Sequence, residues 1–422
     1  MGGERVELVV DGITHGAEAV GRLPSGKACF VGYAVPGERV LVEVVEEHPR
    51  WCRARLVAVL EPSPDRVSPP CPYFGQGRCG GCALQHVAPD RQARLKRRVV
   101  VEQLARIGGI AEPPVSDTVR VRDFGYRNHA RFAVDPDGRL GFRRAGSHDV
   151  LPVDRCPLLH PEAQAVRDEA GDGWDGVEEV GVRAALAGTG SALVVTPGPQ
   201  ALPPLPEGDT PVALRDTTGR AHPLRGDPTV VERVAGFSYR VSAGSFFQSN
   251  TAGAAALVEL VREGADVGPG DAVADLYAGV GLFSRPLAAD GATVVAVEGS
   301  EEACTDARAN LAATTASVVC EPVEEVLTRW TAEIRATTSG RRFAGFDVVV
   351  LDPPRRGAGR DVCGRIATLR PRTVVYVSCD PAALARDART LVAAGYRLAR
   401  AVPVDQFAQT AAIETVATFA RH

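Results

Sequence analysis

Long apolar runs are missing from this sequence of 422 residues: segments such as Phe346 to Leu351 fall far short of the roughly 20 residues that cross a bilayer, which argues against a membrane protein. The start, Met1-Gly-Gly-Glu-Arg-Val, lacks the basic tip and apolar stretch of an export signal, so the expected location is the cytoplasm. Without export, ten cysteines are not expected to form a disulfide framework; they are thiols that bind metal, catalyse or pack. A positive excess is also absent. The net charge of −4 excludes a generic nucleic-acid binder that exploits counterion release, so any RNA contact must be local. No internal repeat or long low-complexity tract is present, and no sequence feature calls for an obligate protein partner. With 45% hydrophobic residues, the chain has material for two or three domains with cores of their own.

What is present divides in three. Residues 4 to about 60 alternate apolar and polar positions (Val6, Leu8, Val10; Val40, Val42, Val44) and are broken by glycines and Pro36-Gly37, the pattern of short antiparallel strands in a small β-barrel. The four prolines of Glu61-Pro-Ser-Pro-Asp-Arg-Val-Ser-Pro-Pro deny the backbone a regular element and mark a linker. Pro89 to Ile107 reads as a basic helix with Arg91, Arg94, Lys96, Arg97 and Arg98, and residues 120 to 150 read as strands carrying Tyr126, Arg127, His129 and Arg131. A second Pro- and Gly-rich stretch, about 197 to 227, predicts another separator. From about 252, alanine-rich helical segments alternate with the β-branched runs Ala272 to Leu276, Thr293 to Val297, Asp347 to Leu351 and Thr373 to Val377, which predicts an α/β domain with a parallel sheet. The domain boundaries follow as 1–61, 62–230 and 231–422.

Ligands of such sheets bind at the carboxyl ends of the strands, and each run leads into a reactive group. The first ends in Asp275-Leu-Tyr-Ala-Gly279-Val-Gly281, where two glycines let the chain turn sharply and a ligand approach the backbone; Ser284 replaces the third glycine of the dinucleotide fingerprint. Glu298 ends the second run, where a carboxylate can accept both hydroxyls of an adenosine ribose, a spacing that suits S-adenosylmethionine better than a dinucleotide. Asp352-Pro353-Pro354 forms a rigid turn able to hold a carboxylate against a planar base. Cys379, in Val-Ser378-Cys379-Asp380-Pro381, ends the fourth run. A lone Cys there is ordinarily core filler, but beside a methyl donor a thiolate has a specific use. Carbon 5 of uracil is a poor nucleophile until a group adds to carbon 6, and a base must afterwards remove the carbon 5 proton. Glu414, at the start of the last strand, is the candidate base.

Ser245-Phe-Phe-Gln248, the Gly-x-Gly segment, Leu351-Asp-Pro-Pro-Arg355 and Ser378-Cys-Asp-Pro-Ala-Ala-Leu-Ala-Arg-Asp387 together, in this order, resemble the RNA uracil-5-methyltransferases. The resemblance implies a class I, Rossmann-like methyltransferase domain, Cys379 as nucleophile, Glu414 as base, and Gln248, Tyr277, Glu298 and Asp352 as the cofactor pocket. Cys71, Cys79 and Cys82, completed by Cys156, look like the iron–sulfur site of the 23S rRNA branch of that family and imply a central α+β domain holding a 4Fe–4S cluster. Four thiolates serve tetrahedral zinc equally well by count, and spacing does not separate the two. Asp11-Gly-Ile-Thr-His-Gly and Val35-Pro-Gly-Glu38 resemble a TRAM domain, a small RNA-binding barrel.

The chain departs from the family in Ala412, where a His usually stands two residues before the base, in Pro322 near the expected adenine position, and in a longer first cysteine gap. The expected partner is a loop or junction of 23S rRNA, since extruding a base costs least there, with Arg127, His129 and the Arg91 to Arg98 helix as phosphate contacts. The competing readings are a methyltransferase acting on tRNA or another RNA base, an RNA-binding protein with an inactive methyltransferase domain, and a nicotinamide oxidoreductase with an iron–sulfur centre.

Overall fold

In the computed structural model, which describes residues 4–199, 205–335 and 345–421, the alternating amino-terminal segment closes into a five-stranded barrel. Its strands are Arg5–Ile13, Ala19–Arg22, Ala28–Val31, Arg39–Glu47 and Trp51–Glu61. Leu8, Val10, Val40 and Val42 point inward with Cys29 and Cys52, as period-two alternation requires. Gly21 permits the closest approach: a Cβ there would stand 2.5 Å from the Val9 carbonyl oxygen, beside the bulge between Val10 and Gly12. The proline linker that follows is pinned to the barrel by Glu38, which is fully buried. Its carboxylate accepts from the amides of Val35 (2.8 Å) and Ser63 (3.3 Å) and from Arg66. Burial pushes this carboxyl up, but Arg66 and the two amides outweigh it and hold it below the ordinary carboxylate range.

The middle of the chain builds a seven-stranded sheet in the order Ala221–Arg225, Val212–Arg215, Ser191–Pro197, Val177–Ala184, His129–Val134, Leu140–Arg143, Val150–Pro152. The helix Pro161–Ala170 packs Ala163, Val166 and Ala170 against Val180, Val182, Leu193 and Val195. Here the structure corrects the sequence reading, because the stretch at 197–227 is no separator. Its residues 212–215 and 221–225 are strands of this sheet, and Pro223 is tolerated because its strand lies at the edge, where a missing N–H costs no ladder bond. Residues 200–204 of the stretch lie outside the described residues.

The carboxy-terminal sheet has eight strands in the order Ser317–Cys320, Thr293–Glu298, Ala272–Leu276, Val348–Leu351, Thr373–Ser378, Glu414–Arg421, Tyr396–Asp405, Val119–Arg120. The first five run parallel; Glu414–Arg421 is antiparallel to both of its neighbours. All four residues of Val348–Leu351 are fully buried, as a strand covered on both faces must be. Val273, Val294, Val348 and Val350 face the helices Thr251–Ala265 and Ser284–Ala289. Ala274, Val349, Leu351 and Tyr376 face Val323–Arg335, Gly359–Leu369 and Pro381–Ala393.

The basic helix Pro89–Arg106 joins this second layer, setting Leu95, Val99, Val100 and Leu104 in one core with Leu384, Ala388 and Leu391. Its cations are not a free phosphate-binding face. Lys96 forms a buried ion pair with Asp405 (2.6 Å) and donates to the Phe407 carbonyl. Arg91 and Arg94 pair with Asp65, Arg97 donates to the carbonyls of Val115 and Ser116, and Arg98 donates to Glu102 and the Asp11 carbonyl. Lys96 is thereby withdrawn from any phosphate, and the arginines tie the barrel, the helix and the sheet while staying partly exposed. Among the described residues no helix is long and apolar enough to cross a membrane.

Replacing Glu38 with Gln removes the charge that gathers Val35, Ser63 and Arg66. Amide exchange at Val35 and Ser63 should then quicken at pH 7 while the rest of the barrel stays protected. In the wild type the same loosening should appear as the pH falls toward the range where Glu38 protonates, because a depressed carboxyl stabilises only while ionised. Unchanged protection in Glu38→Gln would show that backbone packing alone holds the linker.

Candidate active site

The carboxyl ends of the parallel strands open on a cleft of about 1170 Å³, lined by Gln248, Tyr277, Glu298, Asp352, Cys379 and Glu414. These are the six residues singled out from the sequence, gathered from positions 248 to 414 to one edge. The pairing of Ser378 with Thr415 across antiparallel strands sets the thiol and the carboxylate on the same rim.

The glycine-bearing turn after Ala272–Leu276 holds Tyr277 at φ 59° and Gly281 at φ 91°. The left-handed region is costly for a tyrosine and persists only where the surroundings impose it. Glu298 imposes part of it, accepting from the amides of Gly279 (2.9 Å) and Ser300 (2.7 Å), and the Tyr277 hydroxyl donates to Glu324 (3.2 Å). Each Glu298 oxygen keeps lone pairs free toward the cleft.

Cys379 precedes the helix Pro381–Ala393, whose N-cap Asp380 accepts from the Ala383 amide (2.8 Å). The positive end of that helix favours a thiolate. Burial opposes it, followed by Glu414 and Asp352, and the thiol is pushed up to about 11 despite Arg355. Burial and then Asp275 push Asp352 up to about 7. Burial and then Asp352 drive Glu414 well above the usual carboxylate range, with Gln406 and Arg355 pulling it back. Asp352 and Glu414 cannot comfortably both be ionised in this enclosed space.

The supporting residues were less visible in the sequence. Asp306, fully buried, accepts from the amide and hydroxyl of Ser242, the Ser245 hydroxyl and Arg240, and so fixes the loop that presents Phe246, Phe247 and Gln248. Asp387, at the end of the Ser378 motif, accepts from the Tyr376 hydroxyl (2.8 Å) and the Gly359 amide (3.0 Å), tying the cysteine-bearing helix to the chain after Asp352-Pro-Pro. Gln406 donates to both Glu414 (2.8 Å) and Gln248 (3.1 Å). The only sequence signal for it is the polar pair Asp405-Gln406 directly after the apolar run Ala401 to Val404.

The four cysteines Cys71, Cys79, Cys82 and Cys156 all line one second cavity of about 680 Å³, adjoining the first and sharing Cys82, Arg127, Phe246 and Arg355 with it. All four are unpaired thiols. Burial, and then the neighbouring thiols despite a hydrogen bond from Gln85, push Cys82 up to about 12. Among the described residues no three metal-binding side chains stand closed around a common point, so the thiols converge on a cavity without being in ligating contact. Four free thiols lining one cavity are nonetheless a donor set of the right type and number for a cluster or a metal ion. Cys304 and Cys320 depart from the expectation of unpaired thiols, since a disulfide joins helix Glu301–Leu311 to strand Ser317–Cys320.

Arg127 lines both cavities, whereas His129 does not remain available as a cation. Burial and the flanking Arg183, Arg127 and Arg131 hold its imidazole well below the usual range, and its Nδ1 shares a hydrogen bond with Asn128 (2.7 Å).

A mainly parallel sheet covered by helices, with a Gly-x-Gly turn, an acid ending the second strand and the reactive groups at the carboxyl edge, defines a class I methyltransferase. Within that class the chain belongs to the RNA uracil-5-methyltransferase family and is an RNA (uracil-5-)-methyltransferase. The profile of the tRNA (uracil-5-)-methyltransferases matches residues 229–422, and that of the TRAM domain matches 1–57. An uncharacterized RNA methyltransferase of Streptomyces coelicolor is 38% identical over 98% of this chain and 92% of its own length. The 23S rRNA (uracil(1939)-C(5))-methyltransferase RlmD of Alkalilimnicola ehrlichii is 34% identical over 99% of this chain and 97% of its own. The crystal structure of the Pyrococcus abyssi tRNA (uracil-54, C5)-methyltransferase with S-adenosyl-L-homocysteine superimposes with a TM-score of 0.73 at 25% identity, covering 98% of this chain and all of that one.

Alkylation of Cys379 by iodoacetamide, followed by peptide mass spectrometry on the ligand-free protein, should rise with pH through about 11. Glu414→Gln, which removes a repelling carboxylate without changing shape, should move that midpoint down. A midpoint near the ordinary thiol value of about 8.5 in both proteins would show that the site does not perturb the thiol.

Proposed function

We propose that this enzyme methylates carbon 5 of a uridine in a loop or junction of 23S rRNA, with S-adenosylmethionine as donor and a covalent bond between Cys379 and carbon 6. The observation that carries this reading is the single cleft that collects a thiol, a buried carboxyl and a glycine turn backed by Glu298.

Bound in the cleft, the donor supplies an electrophilic sulfonium methyl. Gln248, Tyr277, Glu298 and Asp352 would hold it, Glu298 by accepting from ribose hydroxyls. The Cys379 thiolate adds to carbon 6, and the electron pair of the carbon 5–carbon 6 double bond moves into an enolate. Carbon 5 forms its bond to the methyl group, and that group's bond to sulfur breaks, leaving S-adenosylhomocysteine. Glu414 takes the proton from carbon 5; the double bond re-forms and the carbon 6–sulfur bond breaks, returning the thiolate. The raised Glu414 suits acceptance of that proton, because a base whose proton affinity matches a weakly acidic carbon transfers it more effectively.

The barrel over 1–61 and the thiol-bearing segment over 62–230 would grip the RNA, and the methyltransferase unit over 231–422 would perform the transfer. The cavity shared through Arg127, Phe246 and Arg355 supports an RNA path that runs from the thiol site to the cleft. Cys71, Cys79, Cys82 and Cys156 would hold a 4Fe–4S cluster, or zinc in its place, as a cross-link that orders this path. A tRNA substrate is the second reading, favoured by the full-length likeness to the Pyrococcus abyssi tRNA enzyme.

Single-turnover transfer from labelled donor to unmodified 23S rRNA and to tRNA decides between these substrates. Wild type should yield 5-methyluridine in the rRNA. Cys379→Ala should yield none, and Glu414→Gln should accumulate a covalent RNA adduct and slow its release by roughly 10²- to 10⁴-fold. Transfer retained in Cys379→Ala would overturn the covalent route, and labelling of tRNA alone would move the substrate. Anaerobically purified protein should carry iron and acid-labile sulfide that Cys82→Ser loses; zinc without sulfide would assign the site to the metal ion instead.

A further inference from the structure

We propose that Gln406 is a positioning residue for Glu414: its amide ties one oxygen of the carboxyl so that the other, Oε1, is the atom turned to the substrate. This rests on Glu414 being the proton-accepting base.

Gln406 is fully buried and follows Asp405, the partner of Lys96, so its backbone is anchored on one side by a buried ion pair. On the other side its carbonyl accepts from Asn250 (2.9 Å), the residue that caps the helix Thr251–Ala265. From this fixed backbone, Nε2 donates to Glu414 Oε2 at 2.8 Å and to Gln248 Oε1 at 3.1 Å. Among the described residues Glu414 Oε1 is buried without a hydrogen-bond partner, although Glu414 lines the cleft. A carboxyl with one oxygen held and the other unsatisfied is oriented rather than merely buried.

A second observation makes the arrangement specific. Gly253 sits in the first turn of helix Thr251–Ala265, where Gly costs about 1 kcal/mol relative to Ala. A Cβ at that position would lie 2.5 Å from Gln406 Cβ and 2.7 Å from its Oε1. The helix therefore forgoes a side chain where the glutamine passes.

The charged and titratable groups facing Glu414 are Asp352 and Arg355 from the turn after Val348–Leu351 and Cys379 from the end of Thr373–Ser378. None of them changes when Gln406 does. Removing the amide donor disfavours the ionised carboxylate, so release of the adduct should need a higher pH.

The test follows adduct formation and adduct release separately as a function of pH, with 23S rRNA or whichever RNA the wild type methylates. Gln406→Met keeps the length of the side chain and removes the donor. Adduct release at pH 7 should slow roughly tenfold and recover at alkaline pH, a pH dependence that a merely structural role would not produce. Gly253→Ala retains the amide and displaces it, and should move the release profile in the same direction; it decides the matter if Gln406→Met does not fold. A wild-type release profile in the folded variants, with Glu414→Gln still stalled at the adduct, would overturn the role of Gln406 alone. Normal release in Glu414→Gln would instead remove Glu414 as the base.

Discussion

Burial of the eight-stranded sheet on both faces is the constraint from which the rest follows. Its strands send consecutive apolar side chains to opposite sides, Val273 and Ala274 or Val348 and Val349, and each side is covered by helices. At roughly 1.5–3 kcal/mol for each large apolar side chain withdrawn from water, no polar group can replace one in mid-strand without loss. Chemistry is thereby confined to the strand ends. Four successive parallel strands deliver Tyr277, Glu298, Asp352 and Cys379 to the same edge, and the antiparallel Glu414–Arg421 strand begins where the fourth of these ends.

The same exclusion of water sets the electrostatics of the site. Burial raises all three of Asp352, Cys379 and Glu414; Asp352 raises the other two further, Glu414 also raises Cys379, and Arg355 and the amide of Gln406 pull against this. An exposed cluster of this composition would simply ionise. Enclosed, its groups hold their protons more tightly than they would in water.

Two internal ion pairs join the parts. Glu38 with Arg66 fastens the linker to the barrel, and Lys96 with Asp405 fastens the basic helix to the strand that leads into Gln406. Both place a full charge out of water, which is costly unless the partner and further donors are exact in position. Through Asp405 the second pair adjoins Gln406, which donates to Glu414.

The sequence by itself determined the elements whose patterns are local: the barrel from its period-two alternation, the catalytic sheet from its β-branched runs, and the reactive residues from motifs that sit at strand ends. It misread the stretch at 197–227, because Pro and Gly weigh against a strand while edge strands accept them, and it did not separate Lys96 from the other cations of its helix, because a Lys looks the same whether water, phosphate or a buried carboxylate receives it. The pairing of Cys304 with Cys320, the clamping by Asp306 and Asp387, and the contact of Gln406 with Glu414 and Gln248 were decided only by the tertiary structure. A hydrogen bond depends on distances of tenths of an ångström between segments far apart in the chain, and no local pattern of residues encodes that.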